Sequence, residues 1–194
     1  MNHRIAIIFA SAEGQAKKIA DFIADHLRER DHRVDVYAGK RLPREFDPTA
    51  YDGVIVGASV HMGTFPGFIK KVIHRHLDAL QAMPSGFYSV SLTETEDDEG
   101  RRDEVRKLIN RFLLDLGWQP TVIASFGGAV PFSRYGFIKK LIMRSIMLRR
   151  LGEVDISKDY EYTDWASVDE FGDQFVDHLD VMKKAAGSGR PQAR

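Results

Sequence analysis

Two short runs of apolar residues, "IAIIF" (5–9) and "GVIVGA" (53–58), restrict the architecture of this chain more than any other feature. A strand with no polar positions has no face for water, so both of its faces must be covered. Helical spacing follows each run. Residues 16–30 place Ile19, Ile23 and Leu27 four apart, and residues 66–80 turn Ile69, Val72, Ile73 and Leu77 to one side. Further strands are predicted at 33–38, 86–92 and 121–126. Further helices are predicted over 102–116, with Val105, Leu108, Ile109 and Phe112 inward, and over 165–184, with Val168, Phe171, Phe175, Leu179 and Met182 inward. Five strands separated by helices predict an α/β fold with a doubly wound parallel sheet covered on both faces.

A chain of 194 residues suits one domain, assigned to 1–184, and can bury roughly 70% of its unfolded surface without covalent staples. It has no cysteine, which excludes thiolate catalysis, thiolate metal sites and disulfides. The opening "MNHRIAIIFASAEG" lacks a signal-peptide pattern, and no apolar stretch approaches the ~20 residues of a membrane span. The expectation is a cytoplasmic protein. The tail 185–194, "AAGSGRPQAR", has no apolar face and is expected to be disordered.

Residues 127–164 break the alternation. Connections between elements normally take about 2–6 residues, so this stretch reads as an insertion with a task of its own. The 28 basic and 28 acidic residues balance, but unevenly along the chain. "TETEDDEG" (93–100) is acidic and reads as a solvated loop ahead of a helix. No acid occurs between Asp115 and Glu153, a gap that holds Arg134, Lys139, Lys140, Arg144, Arg149 and Arg150. Within it Phe137 and Leu141, and Ile138, Ile142 and Ile146, recur four apart. An amphipathic helix with a cationic side suits an anionic membrane surface at about 1 kcal/mol per basic residue. The alternative is a surface helix with its apolar side on the sheet.

In a parallel sheet, ligands bind beyond the carboxyl ends of the strands. The loop there, "ASAEGQA" (10–16), precedes a helix whose first N–H groups and dipole suit a phosphate. Ser11 offers a hydroxyl, Gly14 a permissive backbone, and Gln15 an amide. The loop matches neither GxGxxG nor GxxxxGK[ST] and holds no cation, so neutral donors are expected to carry the phosphate. It also reads as an ordinary turn capped by Ser11 or Glu13. "GASVHMG" (57–63) and "SVSLTET" (89–95) end two further strands with small and hydroxylated residues, as a backbone-lined slot for a flat polar ring requires. Singly, Ser59, Ser89 and Ser91 read as loop formers. His74 and His76 point different ways on a helix, and no metal site is expected.

"IIFASAEGQAKKIADFI" resembles the FMN phosphate loop of flavodoxins. With "YDGVIVGASVHMGTFPGFIKK", "MPSGFYSVSL", "RYGFIKKLIM" and "YTDW" in order, the chain from Ile5 to Phe175 resembles the flavodoxin-like protoporphyrinogen oxidases of bacteria. These are quinone-linked dehydrogenases of haem synthesis. The resemblance implies a flavodoxin-like five-stranded sheet and FMN. It implies a phosphate on Ser11, Ala12, Glu13, Gly14, Gln15 and Ala16, and a flavin ring between Ala58, Ser59, Val60, His61, Met62 and Gly63 on one side and Ser89, Val90, Ser91 and Leu92 on the other. It implies protoporphyrinogen IX as substrate, a membrane quinone (menaquinone or ubiquinone) as acceptor, and peripheral attachment to the cytoplasmic membrane face. Arg134, Lys139, Lys140 and Arg144 would meet porphyrin propionates or anionic lipid. His61 is the candidate general base. No nucleic acid is expected, since the net charge is zero. Two positions depart from the family: Ala16 stands where threonine is usual, and His61-Met62 where an aromatic is frequent. Losing a hydrogen bond to a charged group costs about 1.5–3 kcal/mol, roughly tenfold or more in affinity. The rival readings are an electron-carrier flavodoxin and an NAD(P)H:quinone reductase.

Overall fold

The structure, a computed structural model, describes residues 1–92, 99–151 and 154–188. The predicted strands form as β1 (Arg4–Ala10), β2 (Arg33–Ala38), β3 (Gly53–Ser59), β4 (Ser85–Ser91) and β5 (Val122–Gly127). All pairings among them are parallel, in the order β2-β1-β3-β4-β5. This is the flavodoxin-like order.

Side chains alternate across a strand, so β1 divides its residues between two cores. Ile5 and Ile7 pack with Ile19, Ile23 and Leu27 of α1 (Gln15–Arg28) and with Phe171 and Phe175 of α6 (Trp165–Ser188). Ala6 and Ile8 face the other layer, built from α2 (Gly67–Arg75), α3 (Leu77–Ala82) and α4 (Glu99–Leu116). Ile5, Ala6, Ile7 and Ile8 are all buried, as two covered faces demand.

The predicted helix 66–80 is two helices. The chain turns at His76 (φ −117°, ψ 17°), whose ring meets Phe46 edge-on. The last helix continues to Ser188, so 185–188 belong to it; the remainder of the tail lies outside the described residues, as does the acidic stretch 93–98. Met182, expected inward, is 53% exposed.

The insertion is structured. Strand β6 (Ala129–Val130) pairs antiparallel with β7 (Tyr160–Glu161), and between them lie a 3-10 turn (Phe132–Arg134) and α5 (Phe137–Leu151). Val130, Phe132, Tyr135 and Met147 form its own small core. Its two ends meet: Tyr162 donates its N–H to the Gly128 carbonyl (3.0 Å), and the Thr163 hydroxyl donates to the Gly127 carbonyl (2.7 Å).

Candidate functional site

The loops after β1, β3 and β4 converge at the carboxyl edge of the sheet around a cavity of about 270 Å³. The first supplies Ala12, Glu13 and Gln15, the second Ser59 to Gly63, and the third Val90, Ser91 and Leu92. Ser59 ties two of these loops together, accepting from the Ala12 N–H (3.2 Å) and donating to the Ala10 carbonyl (3.3 Å). The Val60 N–H donates to the Val90 carbonyl (2.8 Å).

Three residues expected in the site lie beneath it. Ala58 and Ala16 are fully buried in the two cores. Ser89 is also buried, and its hydroxyl pairs with that of Ser125 (2.9 Å). At Ala16 only the backbone reaches the start of α1.

That start is open. Gly14 precedes α1 with φ +101° and offers no side chain to cap it, so neither Ser11 nor Glu13 caps the helix. The first helical bond runs from the Lys18 N–H to the Gly14 carbonyl (2.9 Å), leaving the N–H groups of Gln15, Ala16 and Lys17 without helical acceptors. Ser11 Oγ accepts the Gly14 N–H (2.9 Å), which leaves its own hydroxyl hydrogen to donate outward. The amide of Gln15 is committed elsewhere, to Thr163 Oγ1 (2.7 Å) and Glu161 Oε1 (3.1 Å). Lys18 holds both oxygens of Glu161 at 2.7 Å. Burial pushes the Glu161 carboxyl up, but the hydrogen bonds from Lys18 and Gln15 prevail and hold it below the ordinary carboxylate range.

At the opposite rim, His61 and Thr64 exchange two backbone hydrogen bonds (2.9 and 3.1 Å) around Met62 and Gly63. Both turn residues have positive φ, 50° and 73°, the pairing of a tight hairpin turn. Met62 protrudes from this tip, 92% exposed.

The insertion roofs the cavity, a placement that helical spacing alone did not reveal. Gly128, Ala129, Tyr135, Met143 and Ile146 complete the lining. Lys139 Nζ lies 2.8 Å from Glu13 Oε1, the Tyr135 hydroxyl donates to Glu13 Oε2, and Lys139 sits 4.2 Å over the Tyr135 ring. Arg134 reaches Gly14: a β-carbon built there would lie 3.6 Å from Nη1. Arg134 and Lys139 thus bring to the loop 10–16 the positive charge it lacks in sequence. Lys140 is partly buried and Arg144 exposed, both on the flank of α5. The apolar residues Phe137, Ile138, Leu141 and Ile142 face outward rather than onto the sheet, while Ile146 of the same spacing turns toward the cavity.

The donor set fits a flavin phosphate and ring. Open N–H groups and the Ser11 hydroxyl surround a backbone without a side chain at Gly14. The one carboxylate of the loop is neutralised by Lys139. The adjoining slot is walled by Val60, Val90, Leu92, Met143 and Ile146. Among the described residues no three His, Asp or Glu side chains converge as metal ligands. No helix there is long and apolar enough to cross a membrane.

Fold and site together define a flavodoxin-domain protein, and the flavodoxin domain family model matches residues 6–157. Protoporphyrinogen IX dehydrogenase (quinone) of Escherichia coli strain K12 is 31% identical over 173 residues, covering 89% of this chain and 94% of that protein. The protein of the same name from Leishmania major is 31% identical over 174 residues, covering 88% and 73%. The chain belongs to this quinone-linked dehydrogenase family within the flavodoxin-domain proteins. Among solved structures, oxidised flavodoxin 1 of Bacillus cereus superposes with a TM-score of 0.54 at 16% identity, covering 90% of this chain and 98% of that one. An archaeal flavodoxin superposes at 0.53 and 11%, covering 91% and 99%. These two share the fold.

Proposed function

We propose that this chain oxidises protoporphyrinogen IX to protoporphyrin IX in haem synthesis, with FMN as its cofactor and a membrane quinone as acceptor. The reading is carried by 31% identity to the Escherichia coli dehydrogenase across nearly the full length of both chains. When bound, FMN supplies a two-electron acceptor, and each pair of hydrogens taken from the porphyrinogen leaves as quinol. The chain's own groups bind and orient. The start of α1 and Ser11 hold the phosphate, and the loops after β3 and β4 hold the ring. Tyr135, Met143 and Ile146 cover the cavity against water.

The outward side of α5 supports attachment at the cytoplasmic face of the membrane. Phe137 and Ile138 are 79% and 74% exposed, with Lys140 and Arg144 beside the apolar row. This arrangement lets rings and branched chains enter lipid while ammonium and guanidinium groups stay at the headgroups. An acceptor dissolved in the bilayer is then within reach of the roofed cavity. An electron carrier that docks soluble partners has no use for such a surface.

The test is anaerobic porphyrin fluorescence. Protein loaded with FMN is incubated with protoporphyrinogen IX and a menaquinone analogue, against controls lacking protein or quinone. A rise that needs both protein and quinone is expected. No rise with flavin demonstrably bound overturns the dehydrogenase reading. Turnover of quinone by NADH without porphyrin would then point to a general quinone reductase.

A further inference from the structure

We propose that Arg134, carried by the insertion, is a ligand of the flavin phosphate and makes this chain prefer FMN to unphosphorylated riboflavin; this rests on the flavin reading above.

The phosphate loop, Ser11 to Ala16, carries a single charged side chain, and it is the carboxylate of Glu13. A phosphate brought to the start of α1 meets a favourable helix dipole but also a like charge in the loop itself. The insertion answers that charge. Lys139 and the Tyr135 hydroxyl engage the two carboxylate oxygens of Glu13. Lys139 is therefore spent on neutralising the loop and is not free to hold an added anion.

Arg134 is free. Among the described residues no carboxylate lies within ion-pair distance of its exposed guanidinium. Asp159, the acid that senses its charge, is already held by the Ser133 N–H (2.7 Å) and hydroxyl (2.6 Å). The guanidinium instead lies against Gly14, where a β-carbon would be 3.6 Å from Nη1. It thus brings a planar fork of donors to Gly14, the residue that leads into the N–H groups of Gln15, Ala16 and Lys17, which have no helical acceptor.

The backbone that carries it is fixed. Phe132 before it is fully buried and Tyr135 after it nearly so. The Arg134 N–H donates to the Pro131 carbonyl (3.0 Å), and the Tyr135 N–H to that of Phe132 (3.2 Å). Little backbone freedom remains to be lost on binding.

The experiment titrates wild type, Arg134→Ala and Arg134→Lys with FMN and, separately, riboflavin, following the quenching of flavin fluorescence at low and moderate salt. Wild type is expected to bind FMN more tightly than riboflavin. Arg134→Ala should weaken FMN by at least about tenfold, change riboflavin by less than about twofold, and flatten the salt dependence of FMN binding. Arg134→Lys should recover part of the loss, keeping the charge without the fork. An Arg134→Ala protein that keeps its FMN affinity, or loses both flavins equally, overturns the assignment. Wild type that binds both flavins equally overturns it too and leaves the flavin reading standing. Wild type that binds neither sinks the flavin reading itself.

Discussion

The ring of Tyr88 fills the space above Gly57: a β-carbon at Gly57 would lie 1.8 Å from Cζ of Tyr88 and 2.2 Å from its hydroxyl oxygen. The two residues face each other on neighbouring strands β3 and β4. From there the hydroxyl reaches up to the Ala16 carbonyl (2.7 Å), in the first turn of α1. A fully buried phenol thus props the start of α1 from below, and burial pushes its ionisation far above the ordinary range.

Gly57→Ala is expected to destabilise the fold by about 1–3 kcal/mol or more, since neither the strand nor the ring has room to move. In a domain of this size each kcal/mol lowers Tm by about 2–4 °C. Adding Tyr88→Ala should make the double variant less unstable than the sum of the two single losses. Thermal melts of all four proteins measure this, and additive losses would refute the clash.

Tyr88→Phe keeps the ring and removes one hydrogen bond. The Ala16 carbonyl retains its helical partner, so the expected loss is about 0.5–1.5 kcal/mol, seen as a fall of about 1–6 °C in Tm. FMN and riboflavin affinities should fall together if they fall at all, because the support lies beneath the loop and not in the phosphate seat. A selective loss of FMN would contradict that.

His61 tests the chemistry. Of the titratable side chains lining the cavity, Glu13 and Tyr135 are bonded to each other, whereas His61 has no side-chain partner among the described residues. His61→Ala is expected to lower kcat for porphyrinogen oxidation by about a hundredfold and leave FMN affinity within about twofold. Unchanged turnover in the fluorescence assay removes His61 from the reaction.

Acid should loosen the base of the insertion. Asp159 is held below the ordinary carboxylate range by Ser133, and Asp164 by Ser167; Glu161 is lowered by Lys18 and Gln15 against the pull of burial. A carboxyl with a lowered folded pKa stabilises above its ordinary value and loses that contribution as pH falls through the folded one. The ordinary values are 3.8 for aspartate and 4.5 for glutamate, so the loss is confined to the acid side of these. NMR titration of the Ser133 and Ser167 amides should give midpoints under 3.8. Midpoints at or above the ordinary value would contradict the hydrogen bonding described.

The outer side of α5 predicts salt-sensitive vesicle binding. Phe137→Ser with Ile138→Ser should reduce co-sedimentation with anionic vesicles by at least about tenfold, since burying each such side chain is worth about 1.5–3 kcal/mol. Lys140→Ala with Arg144→Ala should weaken binding to anionic vesicles and leave the weaker binding to neutral ones unchanged, at about 1 kcal/mol per charge. FMN affinity should be unaffected in both. Equal binding by wild type and both variants would refute the membrane surface.

Much of this was legible in the residues, and the failures have physical causes. The apolar run from Ile5 to Ile8 required a sheet covered on both faces, and the periodicity of α1 and α6 on one face and of α2 and α4 on the other identified most of what covers it. The break at His76 left no trace, because Leu77 continues the apolar row of the preceding helix while one change of dihedral redirects the chain. Strands of two residues, such as β6 and β7, are too short to show any period. In α5 the spacing of Phe137 and Leu141 and of Ile138, Ile142 and Ile146 marked an amphipathic helix but could not say which side met the protein. The inward row includes Lys139, Met143 and Met147, also four apart, which tie α5 to Glu13, the cavity and the small core of the insertion. Gln15, read as a phosphate donor, was claimed by Thr163, more than a hundred residues away in sequence, a pairing no local pattern encodes.

The insertion leaves the sheet at Gly127–Gly128 and returns at Tyr162–Thr163, where the two strands of the neck are joined by hydrogen bonds. The chain therefore re-enters its path almost where it departed. A loop closed at its own base transmits no displacement to α6 when its length changes. The roof and the outer apolar side can be lengthened, shortened or exchanged by mutation while the five strands and their helices stay in place. Such a neck makes the insertion a head set on one hinge point of the fold, held to the body elsewhere by the side-chain ties of Lys139 to Glu13 and Glu161 to Lys18.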